Sequence, residues 1–265
     1  MKGDHVAIFT GTLFSEYLDK KVKFRAIVPT PGPSKEADVE TKAPLKTLYL
    51  LHGWNGNYED WTYYSDILML AEQNSLAVIM PDGENSFYSD HITGAQYGKF
   101  YQKELVEKTR FLFPLSDKRE DTFVAGLSMG GYGALRIGLT CPETFGKIGA
   151  LSSPIFYEGL YSQVETEEIG GLIVDTLLSL FKKNPNGDFH PDNDIYKLVE
   201  KANPMPDLYL ACGQSDELIK LNEDFHQWLT ARGIAHHYVT GPGEHLWPYW
   251  NEQLPLLLDW LLDKN

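Results

Sequence analysis

Three features of this 265-residue chain predict an α/β fold with a mostly parallel central sheet and helices on both faces. Short continuous apolar runs alternate with helix-length segments from Thr47 onward, the pattern of strands buried on both sides. Several of those runs end in polar or glycine-containing turns, such as His52-Gly53, Cys212-Gly213 and Gly241-Pro242-Gly243. The chain is also 43% hydrophobic, enough for a sizeable core. Its length exceeds the usual domain mode of about 100–150 residues, but α/β folds of about 200–250 residues often form one domain. A single domain over 1–265 is therefore expected.

The elements follow in order. Residues 6–15 and 22–29 read as strands around Glu16-Tyr17-Leu18-Asp19, an antiparallel hairpin at the sheet edge. Residues 30–44 are proline-rich with mixed charges, an exposed loop. Thr47-Leu48-Tyr49-Leu50-Leu51 and Ala77-Val78-Ile79-Met80 are buried strands. Residues 121–125 end another strand, and 129–139 form a helix with Leu135 and Leu139 on one face. Later come a strand at 208–213, a helix at about 218–232, an extended 236–240 and a helix at about 248–262. Between them, about 155–203 reads as an insertion over the active site, where substrate selection is expected. Its centre, 169–181, sets Leu172, Ile173, Thr176, Leu177 and Leu180 at helical spacing, more in keeping with a packed face than a substrate channel. Asn184-Pro185-Asn186-Gly187 breaks that helix, and 194–202 forms a shorter one.

Gly126-Leu127-Ser128-Met129-Gly130 carries the chemistry. A G-x-S-x-G motif between a buried strand and a helix is a nucleophile elbow: the sharp turn strains the serine backbone, and the glycines relieve crowding where strand meets helix. Gly131 and Gly133 extend this permissiveness into the first turns. A serine hydroxyl needs an imidazole to take its proton, and the imidazole needs a carboxylate to fix its tautomer. In elbow enzymes these follow in the order Ser, Asp or Glu, His, each at a strand exit. Asp216 follows the 208–213 strand, with Glu217 as the adjacent rival; Asp207 lies on the wrong edge. His245 follows the last strand in a Gly-Pro-Gly-Glu-His turn. His236 and His237 lie at that strand's start, and His226 falls inside a helix.

The backbone N–H of Met129, the residue after the nucleophile, is one expected oxyanion donor. The other is expected from the flexible polar loop His52-Gly53-Trp54-Asn55-Gly56-Asn57, at Trp54. Ligands in open α/β sheets bind at strand C-termini, so Trp54, Tyr88, His91 and Trp247, with Phe87, are expected to border the substrate.

Taken together, His52-Gly53, Pro81-Asp82-Gly83, GLSMGGYGAL at 126–135, Ala211-Cys212-Gly213 and 241–247 resemble the esterase D group. That group comprises bacterial tributyrin esterases, S-formylglutathione hydrolases, feruloyl esterases and mycolyltransferases. The likeness is strongest to the tributyrin esterases, through Lys118-Arg119-Glu120-Asp121 and the Gly-Pro-Gly-Glu-His turn, and runs from about residue 21 to the C-terminus. It implies an α/β-hydrolase fold and hydrolysis of short-acyl esters.

A net charge of −14 argues against nucleic acid, which needs a basic footprint, and against anionic membrane surfaces. No apolar run is long enough to span a bilayer, and Met1–His5 does not read as a signal peptide. Two cysteines, Cys141 and Cys212, make no disulfide framework, so a cytoplasmic protein with reduced thiols is expected. Two acidic clusters (Asp82, Glu84, Asp90 and His91; Asp188, His190, Asp192 and Asp194) match no metal-loop spacing, and solvated loops are the expectation rather than a metal. The reading is a serine carboxylesterase acting on a small ester without a cofactor. A feruloyl or acetyl-polysaccharide esterase is the alternative, and an S-formylglutathione hydrolase is a weaker one.

Overall fold

The computed structural model describes residues 5–30, 44–91, 94–158, 160 and 190–264. The expected loop at 31–43 and the expected helix and break at 169–187 lie outside the described residues. Eight strands form one sheet: β1 (His5–Ser15), β2 (Lys20–Thr30), β3 (Thr47–Leu51), β4 (Ala77–Pro81), β5 (Thr122–Leu127), β6 (Lys147–Leu151), β7 (Asp207–Gly213) and β8 (His237–Gly241). Their spatial order is β1-β2-β4-β3-β5-β6-β7-β8. β1 pairs antiparallel with β2, and β2 antiparallel with β4, while the strands from β4 to β8 are parallel. The edge hairpin and parallel body therefore match the pattern expected of the sequence. β6, small-residue and only five residues long, is the strand whose sequence signal is faint.

Every residue of β3, β4 and β5 is buried, as strands covered on both sides must be. Alternate residues supply two cores. Leu51, Val124 and Ala150 face one side with Leu135 of helix α5 (Met129–Thr140). Leu50, Ala125 and Leu151 face the other, with Leu254, Leu257 and Leu258 of the C-terminal helix, Trp247–Leu261. Leu135 is fully buried, so its truncation to alanine would cost about 2–5 kcal/mol. Helices α1 (Asp60–Tyr64) and α2 (Ile67–Gln73) cover the second face through Trp61, Ile67 and Ala71. Helix α3 (Tyr97–Lys99) runs through a π turn into α4 (Leu105–Leu112) on the first face. Helix α6 (Ile195–Lys201) is capped by Asp194, whose side chain accepts from the Lys197 amide. Helix α7 (Ile219–Ala231) connects β7 to β8, and the C-terminal helix is α8.

Parallel register aligns the strand exits: Leu51 stands beside Gly126, Leu127 beside Leu151 and Gly213 beside Gly241. The residues that follow β3, β5, β6, β7 and β8 thus converge on one edge. Among the described residues no helix is long and apolar enough to cross a membrane.

Candidate active site

Ser128 lies between β5 and α5 with φ 52° and ψ −122°, a backbone that non-glycine residues rarely adopt. Such strain costs on the order of 1–3 kcal/mol and must be held by its surroundings. The Ser128 N–H donates to the Leu151 carbonyl at 2.8 Å, and its carbonyl accepts from the Tyr132 N–H at 3.1 Å. The glycines make the turn possible. A Cβ on Gly126 would sit 2.4 Å from the Gly130 carbonyl oxygen, and one on Gly130 would sit 2.5 Å from that of Leu51.

His245, after β8, brings Nε2 to 2.9 Å from Ser128 Oγ. Its Nδ1 lies 3.0 Å from both Asp216 carboxylate oxygens. The network assigns the imidazole proton to Nδ1, which donates to Asp216 and leaves Nε2 to accept from Ser128. The Asp216 side chain is fully buried, that of His245 partly open. Burial pushes the Asp216 carboxyl up, but hydrogen bonds from His245, the Leu218 amide and the Ser152 hydroxyl outweigh it and hold it below the usual carboxylate range. The loops that carry the pair are stitched together, Gln214 N–H to Gly241 O at 2.8 Å and Ser215 N–H to Gly243 O at 2.9 Å. Glu217, the rival acid, is exposed. His226 and His236 face each other at 2.7 Å, and His237 stacks on Tyr209, so none of them joins this chain.

Trp54 and Met129 meet at the same edge. A Cβ on Gly53 would lie 2.7 Å from the Leu127 side chain and 3.5 Å from Ser128 Cβ, so the loop after β3 passes directly beside the serine. Among the described residues no protein acceptor takes the N–H of Trp54 or Met129. Both belong to a region made positive by the α5 N-terminus. The loop is tied by hydrogen bonds that its composition does not announce. Gly56 N–H donates to Gly53 O, Asn55 and Asn85 exchange two hydrogen bonds, and the His52 ring is only 1% exposed.

The residues expected to form the substrate wall lie differently in the fold. Tyr88 does not border the cleft: it is fully buried, and its hydroxyl donates to the His52 carbonyl at 3.0 Å. Phe87 is buried as well. Positive φ at both residues turns this segment inward, which its polar surroundings in sequence conceal. His91 hydrogen-bonds Ser86 O and packs on Tyr97. Trp54 is half-buried against Phe87, with ring centroids 5.3 Å apart. Trp247 packs on Trp61, Tyr64 and Trp250.

Two further residues escape a reading of the sequence. Trp250 sets its edge against His245 at 5.1 Å, and its indole N–H donates to Ser152 Oγ at 3.0 Å. Ser152 follows β6 and backs Asp216; its position at a strand exit is the one signal that marks it. Of the acidic clusters, Glu84 pairs with Lys20 and Tyr97, and Asp90 accepts from the Lys99 amide. Asp188 lies outside the described residues. Among the described residues no group of three or more histidine, cysteine or acidic side chains is arranged to hold a metal ion.

A partly exposed serine at a strand-to-helix turn, hydrogen-bonded to histidine and through it to a buried carboxylate, is the arrangement of a serine ester hydrolase. Comparison with known proteins agrees. The chain belongs to the putative esterase family, whose model matches residues 15–261. It is 37% identical to an acetyl esterase of Caldicellulosiruptor saccharolyticus over 97% of this chain and 98% of that protein. The fluorophosphonate-binding serine hydrolase F of Staphylococcus aureus superposes with a TM-score of 0.84 at 29% identity, covering 97% of this chain and 98% of the other. An S-formylglutathione hydrolase from the same organism gives a TM-score of 0.82 at 29% identity, covering 97% and 99%. The chain is a carboxylic ester hydrolase of the serine class.

Proposed function

We propose that this enzyme is a carboxylesterase for short-chain acyl esters, of the tributyrin-esterase kind, working through Ser128, His245 and Asp216. The observation that carries the reading is the unbroken hydrogen-bond chain Ser128 Oγ to His245 Nε2, and Nδ1 to Asp216, at 2.9 and 3.0 Å. Ser128 Oγ attacks the ester carbonyl as His245 Nε2 takes its proton, and Asp216 stabilises the imidazolium without itself being protonated. The Met129 and Trp54 N–H groups receive the oxyanion. Collapse breaks the carbon–oxygen bond, and His245 hands the proton to the departing alkoxide, releasing the alcohol. Water, deprotonated by His245, then attacks the acyl-enzyme; the proton returns to Ser128 and the carboxylate leaves. The balance is ester plus water to acid plus alcohol, with no cofactor entering.

Labelling with a fluorophosphonate tests the nucleophile: one equivalent should attach at Ser128 and abolish turnover. Labelling at another residue, or full activity after labelling, would remove the reading. A panel of p-nitrophenyl acetate, butyrate, octanoate, methyl ferulate and S-formylglutathione places the substrate, with acetate and butyrate expected fastest. A second reading is hydrolysis of acetyl esters on polysaccharides; the 37% identity to an acetyl esterase supports the acetyl group, not its carrier. Acetylated xylan as substrate separates the two.

A further inference from the structure

We propose that His52 is a positioning residue that aims the Trp54 N–H at the oxyanion, an inference that rests on the serine-esterase reading above. The Gly53 carbonyl and the Trp54 N–H belong to one planar trans peptide and point in opposite directions. Whatever holds the carbonyl therefore sets the direction of the N–H. Two donors hold it: His52 Nδ1 at 2.7 Å and the Gly56 N–H at 3.1 Å. His52 can donate from Nδ1 because the Gly83 N–H, in the turn after β4, donates to Nε2 at 2.7 Å. That backbone donor fixes the neutral tautomer. Tyr88 secures the other side, its hydroxyl donating to the His52 carbonyl.

The position needs a side chain that accepts at one end and donates at the other while buried and uncharged. Neutral histidine meets all three demands. Lysine and arginine only donate, and a carboxylate only accepts. Burial pulls the His52 imidazole below its ordinary value, against the opposing pull of the Gly53 carbonyl and of Asp82 and Asp60, the charged groups that face it. Asp82 Oδ1 stands 3.8 Å from Nε2. The ring thus remains the neutral donor–acceptor that the peptide requires.

The two ends of the ring can be tested apart. A glutamine amide reaches the place of Nε2, so His52→Gln keeps an acceptor for Gly83 and loses the donor to Gly53. An asparagine amide lies near Nδ1, so His52→Asn keeps the donor and loses the acceptor. With a short-acyl ester, kcat of His52→Gln should fall roughly 10- to 100-fold with little change in KM. That is less than the ~10²–10³ of a lost oxyanion donor, because Gly56 still holds the carbonyl. His52→Asn should recover most of the loss. A wild-type kcat in His52→Gln, or a kcat in His52→Asn no higher than in His52→Gln, overturns the proposal. Should either variant not fold, histidine-selective ¹⁵N NMR of the native enzyme decides: His52 in the Nδ1–H form supports the proposal, and the Nε2–H form or an imidazolium at neutral pH overturns it. Ser128→Ala, assayed alongside, keeps the levels distinct. If it retains turnover, the serine-esterase reading has failed; if it is inactive and the His52 results run the other way, only the positioning role has failed.

Discussion

Ser128 is aimed by its own backbone, whereas Asp216 and His245 are aimed by hydrogen bonds that cross between loops. The serine's placement rests on the turn itself, a positive φ, glycines at Gly126 and Gly130 and a helix beginning one residue later, held by one backbone bond to Leu151. The acid and base depend on partners far away in the chain: Ser152 behind Asp216, Trp250 beside His245, and two backbone bonds joining the β7 and β8 exits. The nucleophile is therefore guarded against side-chain change but sensitive to added bulk at glycine. The Asp216–His245 pair is instead sensitive to the loss of those polar partners.

The largest expected effect tests the chain itself. Ser128→Ala should lower kcat by on the order of 10⁶, as removal of a serine nucleophile does elsewhere. Asp216→Asn should cost on the order of 10⁴, because the wrong imidazole tautomer then faces the serine. Both should keep the wild-type Tm within a few degrees. Full activity in Asp216→Asn with an inactive Glu217→Gln would move the acid by one residue, against the exposure of Glu217.

The turn at Ser128 is vulnerable at its glycines. Gly130→Ala drives a methyl to 2.5 Å from the Leu51 carbonyl oxygen and 2.7 Å from that of His52. It should destabilise the fold by about 1–3 kcal/mol and reduce kcat as the elbow shifts. Denaturant midpoints measure the first effect and steady-state assays the second. An unchanged Tm and kcat would show that the elbow has room to spare.

The polar half predicts a pH response. Asp216 is held below the usual carboxylate range when folded, so its stabilisation is present above the unfolded value near about 4 and fades as pH falls through the folded one. His52 is also held low, so the unfolded chain takes up a proton before the folded one does. Stability should then already decline below about pH 6.5, before the carboxylates titrate. Thermal melts from pH 8 to 4 should show this earlier decline, and His52→Asn should make it shallower. It should not vanish, since burial also lowers His91 and His226. An identical slope in the variant would remove His52 from the account.

The smallest expected effect concerns Trp54. Each methylene buried can gain up to about 0.8 kcal/mol, so a short-acyl preference needs a steric stop. With its indole half-buried against Phe87 beside the serine loop, Trp54→Ala should shift the optimum toward longer chains while leaving the backbone donor in place. An unchanged chain-length profile would put the stop in the 155–203 region instead.

The alternation of apolar runs and amphipathic segments made the sheet and most of its helices legible, because strands buried on both faces leave no other pattern. That Ser128, Asp216 and His245 come together was legible for a related reason: parallel strands deliver their exits to one edge. What stayed hidden depends on contacts between distant segments. Nothing near Tyr88 in sequence announces that its backbone turns inward to support the His52 carbonyl. The dual role of the His52 ring requires a backbone N–H from residue 83, and the Trp250–Ser152 bond spans the space between α8 and the β6 exit. Such partners exist only once the sheet order is known.

One junction has a practical side. Ile195 N–H donates to the Phe156 carbonyl at 3.0 Å, and Asp194 accepts from the Glu158 amide at 3.1 Å. Asn193, just before, is gripped from beneath by Tyr132 and Arg136 of the nucleophile's helix. The chain thus departs from and returns to a single clasp fastened to the scaffold. Closing a loop between fixed ends costs only about 0.6 kcal/mol more for each doubling of its length, so the clasp itself sets little limit on the length of chain it carries. The clasp accordingly offers two secured splice points at which that segment can be exchanged as a cassette.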